Sequence, residues 1–175
     1  MDPGKILTVT YTVAATKDMA DRFAVKFGQE MAERLEFRTI NGICARVIQY
    51  YSWKTGRMAF QLLTDEKRIS AMLSGIYQQT ERVYPTEGDL KNVRTLITYI
   101  KNRMLNEKEI QKLEEEAEIH LAAIYKEYCR QLREQQLMDY DDQMVYAYNM
   151  LRKIPELRAY FQEKYPYICV DEAQD

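Results

Sequence analysis

The spacing of hydrophobic and polar positions changes twice along the chain. Ile6-Leu-Thr-Val-Thr-Tyr-Thr12 is rich in β-branched and aromatic residues and predicts a strand. From Val13 to about Leu35 the apolar positions Ala15, Met19, Phe23, Phe27 and Met31 fall on one helical face. Lys17, Asp18, Asp21 and Lys26 lie mostly away from it, so one amphipathic helix is expected. Phe37 to Ile40 predicts a short second strand, and Asn41 is placed to cap a helix carrying Ile43, Val47, Ile48 and Tyr51. Strand, helix, strand, helix is the order of a parallel α/β layer.

From about Trp53 to Leu137 no strand is predicted, and every long segment has helical period. Thr64-Asp-Glu-Lys67 opens one helix that runs to about Val83, Pro85-Thr-Glu-Gly88 interrupts, and a second runs from about Leu90 to Leu105. Asn106 is expected to cap a single long helix in which Ile110, Leu113, Ala117, Leu121, Ile124, Tyr128 and Leu132 recur at spacings of three and four. Two shorter helices separated by Pro155 follow Asp139, and Tyr167 to Val170 reads as a strand again. The fold class expected is therefore α/β but mostly helical. A partial parallel sheet in residues 1–53 and 138–175 is interrupted by an all-helical insertion over 54–137.

Composition narrows this only slightly. A chain of 175 residues is long enough to bury a substantial core without disulfides or a structural metal. No uncharged stretch approaches the ~20 residues of a membrane-spanning helix, and no secretion signal opens the chain, so a cytoplasmic protein with no membrane partner is expected. Cys44, Cys129 and Cys169 are odd in number and show no CxxC spacing, which points to buried, reduced thiols. The net charge of −2 excludes a uniformly basic nucleic-acid binder but not a local basic surface. Lys91, Arg94, Lys101, Arg103 and Lys108 supply one such bias, readable either as a phosphate-contacting face or as a solvated helix surface. His120, the only histidine, has no nucleophile or metal-ligand partner at helical spacing and reads as a partly packed helical residue.

The candidate chemistry stands in the closing residues. Tyr167-Ile-Cys-Val170 followed at once by Asp171-Glu172 describes a strand that delivers carboxylates to its carboxyl end, where parallel α/β sheets bind ligands. An aspartate there suits Mg²⁺, and a neighbouring glutamate suits positioning or deprotonating a water for attack on a phosphate. The competing reading is a solvated acidic end after a strand.

Four blocks in order carry a resemblance across the whole chain. Thr10-Tyr-Thr-Val-Ala-Ala-Thr-Lys-Asp-Met-Ala-Asp-Arg22 resembles motif Ia of UvrD/Rep-like superfamily 1 DNA helicases, and Arg38-Thr-Ile-Asn-Gly-Ile-Cys-Ala-Arg46 resembles the block that follows it. Leu137-Met-Asp-Tyr-Asp-Asp142 is similar to the family's Leu-Asp-Phe-Asp-Asp-Leu segment, and Val170-Asp-Glu-Ala-Gln-Asp175 to motif II, the Walker B element. Val13 and Ala14 stand where the family usually has Asn-Lys, and Asn41 where it usually has His.

The resemblance implies part of a RecA-like P-loop motor domain with a helical subdomain inserted, from an enzyme that uses ATP and Mg²⁺ to move 3′ to 5′ on single-stranded DNA. It implies Asp171 as the Mg²⁺ residue, Glu172 as general base, and Gln174 and Asp175 as nucleotide-associated. Thr10, Tyr11, Thr12, Thr39 and Asn41 are implied contacts to single-stranded DNA, against the alternative that they only pack a strand end beneath a helix. Implied partners are single-stranded DNA, a duplex junction and the remaining helicase domains. No G-x-x-x-x-G-K-[ST] run occurs, because Gly4-Lys5 lacks both the preceding glycine and the following hydroxyl residue. The chain is thus expected to be an internal helicase fragment from motif Ia to motif II, inactive alone and carrying no bound nucleotide. Two other readings remain: a non-catalytic binding module derived from a helicase, and a purely helical interaction protein, which would lack a parallel sheet.

Overall fold

A computed structural model describes residues 2–173. In chain order, after one 3-10 turn at Pro3–Lys5, the elements are β1 (Ile6–Thr10), α1 (Val13–Phe27), α2 (Gln29–Arg34), β2 (Glu36–Thr39), α3 (Ile40–Thr55) and β3 (Gln61–Leu62). There follow α4 (Glu66–Glu81), α5 (Glu87–Arg103), α6 (Glu107–Ala117), α7 (Leu121–Glu134), β4 (Leu137–Met138), α8 (Tyr140–Lys153), α9 (Pro155–Lys164) and β5 (Tyr167–Val170). They divide into two compact units, Met1–Ala59 with Tyr146–Asp175, and Phe60–Val145.

The first unit is built on a parallel sheet of order β2-β1-β5. Its register pairs Leu7 with Glu36 and Ile168, and Val9 with Arg38 and Val170. The pairing of Ile6–Val9 with Tyr167–Val170 removes the purely helical reading. Leu7 and Val9 of the central strand are buried, as are Val47 and Ile48 of α3 and Leu157 and Phe161 of α9. β5 forms an edge, leaving Tyr167, Ile168 and Val170 exposed. An apolar cavity of about 300 Å³ lies between Leu7, Ile43, Val47, Phe161, Tyr165 and Ile168.

Three expectations are corrected here. The single helix expected from Val13 to about Leu35 breaks at Gly28, whose φ of 93° costs a glycine little and any other residue much. The helix after β2 begins one residue before Asn41 and is capped by Thr39, whose extended backbone lets Oγ1 accept from the Gly42 N–H at 2.9 Å. Among the three thiols, Cys44 and Cys129 are half-buried as expected, whereas Cys169 is exposed on the edge strand.

The second unit packs α4, α5 and α7 around Leu73, Ile76, Val93, Ile97, Ile124 and Leu132. Its helix starts follow local sequence. Asp65 caps α4, and Thr86 with Asp89 and Asn106 with Glu109 form reciprocal capping boxes on α5 and α6. The long helix expected from Asn106 is interrupted, because Glu118 adopts φ 54° and closes α6. His120 stands just before α7 rather than inside a helix, with its backbone N–H and Nδ1 directed at the Glu81 carboxylate at 2.7 and 3.1 Å. A strand pair was also unanticipated: β3 runs parallel to β4, with Gln61 opposite Leu137 and Leu62 opposite Met138.

The basic bias of the second unit is also redistributed. Lys101 lies on no surface: it is 3% exposed, and Nζ reaches Asp139 Oδ2 at 2.7 Å and Asp142 Oδ1 at 2.9 Å. The Tyr128 hydroxyl donates to Asp139 Oδ2 at 3.1 Å, and the Asp142 N–H donates to Asp139 Oδ1 at 2.8 Å. Burial, with the neighbouring Asp139 charge, raises the Asp142 carboxyl above the ordinary range against the pull of Lys101. Arg94 is committed to Glu66.

Candidate functional site

The parallel register sets the strand ends of the first unit side by side. Thr10 is paired with Thr39, and Val9, one residue earlier, is paired with Val170. The Asp171 N–H continues the ladder by donating to the Val9 carbonyl at 2.9 Å, which fixes Asp171 just beyond β5. The carboxyl ends of β2, β1 and β5 thus carry Thr39, Thr10 and Asp171 in a row, where open parallel sheets place their ligands.

Thr10 is only 2% exposed, and its Oγ1 donates to Asp171 Oδ2 at 3.1 Å. That bond orients the Asp171 carboxylate and leaves it half-buried with acceptor capacity to spare. Glu172 follows with φ 53°, an uncommon backbone for a residue bearing a Cβ, and its side chain is exposed. Gln174 and Asp175 lie outside the described residues.

Each remaining predicted residue has its place around this row. Tyr11 is 56% exposed immediately after β1. Thr12 caps α1, its Oγ1 accepting from the Ala15 N–H at 3.0 Å. Thr39 caps α3, so both helices that start here leave the sheet through a threonine. Asn41, in the first turn of α3, has a buried Oδ1 that accepts no hydrogen bond among the described residues. A buried amide oxygen without a donor is costly, and it is the kind of group that a bound water or ligand hydroxyl satisfies.

The row suits a hard cation carried in by a phosphate ligand better than a resident metal. Mg²⁺ is commonly held by one or two carboxylates, with water and substrate phosphates completing its shell, and Asp171 supplies one oriented carboxylate. Among the described residues no three His, Cys, Asp or Glu side chains gather into a cage. No described helix is long and apolar enough to cross a membrane.

Sequence reasoning overlooked the cations on the α3 side of β2. The Glu36 carboxylate there accepts from Arg38 Nε at 3.1 Å and Nη2 at 2.8 Å, from Arg46, and from the Tyr165 hydroxyl. Burial works to raise this carboxyl, but the hydrogen bonds from Tyr165 and Arg38 and the charges of Arg46 and Arg38 outweigh it, so Glu36 ionises below the ordinary range. The signal available in sequence was the alternation Glu36-x-Arg38, which in a strand puts both side chains on one face.

Comparison with known proteins agrees with this layout. The family model described as "UvrD/REP helicase N-terminal domain" matches residues 1–175. Similar proteins include the ATP-dependent DNA helicase PcrA of Staphylococcus epidermidis, 27% identical over 178 residues, and that of Staphylococcus aureus, 25% identical over the same length. Each alignment covers 100% of this chain but 24% of the relative, so the chain spans about a quarter of the length of the proteins it matches.

Proposed function

The chain belongs to the UvrD/REP helicase N-terminal domain family, and from that premise we propose that it forms the stretch from motif Ia to motif II of an ATP-dependent DNA-helicase motor. In this reading residues 1–53 and 138–175 contribute to a RecA-like P-loop ATPase domain, and 54–137 form its inserted helical subdomain. The whole motor works in the cytoplasm, moving 3′ to 5′ on single-stranded DNA toward a duplex junction. PcrA from Staphylococcus epidermidis, named as an ATP-dependent DNA helicase, supports the class of activity. The observation that carries the reading is the hydrogen bond from Thr10 to Asp171, which ties the end of the motif Ia strand to the first carboxylate of motif II.

The chain's own residues then have distinct tasks. Asp171, held by Thr10, offers an oriented oxygen to Mg²⁺ arriving with ATP; that ion, when bound, neutralises charge on the phosphates. Glu172, exposed next to it, takes the proton of the attacking water, and Gln174 and Asp175 attend the nucleotide. Tyr11 stacks on a base of single-stranded DNA. Thr10, Thr12, Thr39 and Asn41 set the edge along which the DNA backbone runs, with the unpartnered Asn41 oxygen open to a donor from a bridging water.

A motor of this kind also needs a phosphate-cradling loop, and the 175 residues contain no G-x-x-x-x-G-K-[ST] run. By themselves they are expected not to turn over ATP, because two carboxylates provide neither the positioning nor the charge neutralisation of phosphoryl transfer. Steady-state phosphate release tests this. The 175-residue chain should show none above a blank. In a longer motor containing the segment, Glu172→Gln should abolish DNA-stimulated release while leaving nucleotide binding intact. Mg²⁺-dependent hydrolysis by the short chain that disappears in Glu172→Gln, or hydrolysis by the longer protein that survives it, would overturn the reading.

A further inference from the structure

The α3–α9 face of the first unit joins a surplus of positive charge to a ladder of aromatic rings, away from the carboxyl ends of the strands. Glu36 is the single carboxylate shared by Arg38 and Arg46, and Tyr165 occupies its other oxygen. Glu36 therefore fixes both guanidinium groups yet balances only one, and each keeps N–H donors without a protein acceptor among the described residues. Lys164 completes the cluster. Its ammonium lies 5.0 Å from the Tyr165 ring centroid and makes no ion pair with a described carboxylate. Burial, then the Arg46 charge, lower its proton affinity, with Arg38 adding to them and Glu36 only partly opposing. β2, α3 and α9 together hold the basic residues Arg38, Arg46, Lys54, Arg158 and Lys164 against Glu36, Glu156 and Glu163, although the whole chain carries a net charge of −2.

The rings continue the same face one helical turn on. Tyr50 lies four residues after Arg46 on α3, and Tyr160 four residues before Lys164 on α9. Tyr50 and Tyr160 stack at 3.9 Å with their planes 14° apart, over Phe161, which meets both edge-on. Trp53 lies beside this pair, its ring 5.8 Å from that of Tyr50 and tilted 49° to it, and the residue is 76% exposed. The exposed indole therefore offers a face on which a planar group can stack.

We propose that this face binds a single-stranded nucleic acid, its phosphates at Arg38, Arg46 and Lys164 and a base stacked on Trp53. Cations that follow a backbone beside rings that accept any base are the two components of sequence-tolerant single-strand binding, and guanidinium groups with free donors suit phosphate oxygens. An acidic peptide would satisfy the cations but not the open indole, which favours the nucleic acid. The site uses none of the residues assigned to ATP or to the strand ends, so it stands or falls separately from the motor reading.

Trp53 is the only tryptophan in the chain, so its fluorescence reports the stacking directly. The test is a titration of the 175-residue chain with an oligothymidylate between about 50 and 200 mM salt. Quenching should saturate, with affinity falling as salt rises. Arg38→Ala and Lys164→Gln should each lower the salt slope by about 1. Followed by anisotropy of a labelled oligonucleotide, Trp53→Ala should weaken binding about 5- to 150-fold, and Trp53→Phe should restore most of it. The proposal is overturned by an absence of quenching, by quenching indifferent to salt and to Arg38 and Lys164, by binding undiminished in Trp53→Ala, or by equal quenching with polyglutamate.

Discussion

Two charge clusters, one in each unit, are made of nearly the same parts with opposite sign. In the first, Glu36 is shared by Arg38 and Arg46 and receives the Tyr165 hydroxyl. In the second, Lys101 is shared by Asp139 and Asp142, and Asp139 receives the Tyr128 hydroxyl. The Lys101 side chain is 2% exposed, whereas those of Arg38 and Arg46 are 45% and 37% exposed. In the buried cluster Asp139 has both oxygens engaged and Lys101 is held by two carboxylates and a ring, so it can only hold structure. In the half-exposed cluster the guanidinium donors outnumber their acceptors, and the surplus is available to a ligand. Burial, more than composition, separates a structural ion network from a recognition surface.

The strongest way to break this comparison is Lys101→Met. It strands Asp139 and Asp142 without a counter-charge and should cost about 3–5 kcal/mol in urea denaturation of the chain; a loss below about 1 kcal/mol would mean the cluster is solvated. Glu36→Gln should cost less, about 1–2 kcal/mol, because water reaches the arginines it releases. The pH response should separate the clusters by direction. Glu36 is lowered in the folded chain, so its contribution is complete above the ordinary carboxyl value of about 4.3 and is lost as the pH falls through the lowered one. Asp142 is raised, so the folded state keeps its proton more readily and its contribution grows as pH falls through that raised value. Hydrogen exchange resolved by residue should therefore show acid loosening the amides around Glu36 before those around Asp139 and Asp142, and equal loss at both clusters would contradict the assignment. The smallest effect should come from Glu116→Gln, which removes an exposed pair with Lys112 at 3.9 Å and should change stability by less than about 0.5 kcal/mol.

Local signals proved readable where they were chemically specific. Asn106 caps a helix and Pro155 separates two helices as expected, and β1 and β5 lie within the apolar and β-branched runs read as strands. The pairing of those strands across 161 positions has no local signal linking Thr10 to Asp171, and was accessible only through the α/β order of elements and the resemblance. What escaped has physical causes. A two-residue strand such as β3 is too short to alternate, and the Glu118 break leaves the apolar spacing around it undisturbed. Lys101 reads as surface because a lysine is seldom buried unless it is paired, and its partners are 38 and 41 residues away. The basic and aromatic face on α3 and α9 went unseen because Arg46, Tyr50, Tyr160 and Lys164 meet only through tertiary packing.

The position of Cys169 has a practical consequence for labelling the chain. Burial pushes the Cys44 thiol up to about 11 and raises that of Cys129, and a thiol must ionise before it attacks an electrophile. Cys169 sits on the open strand, two residues ahead of Asp171. A maleimide dye added near neutral pH should therefore couple to one atom of the native protein, with no cysteine removed by mutagenesis. Any ligand that reached the strand ends would then be read as a change in colour or lifetime at a single known address.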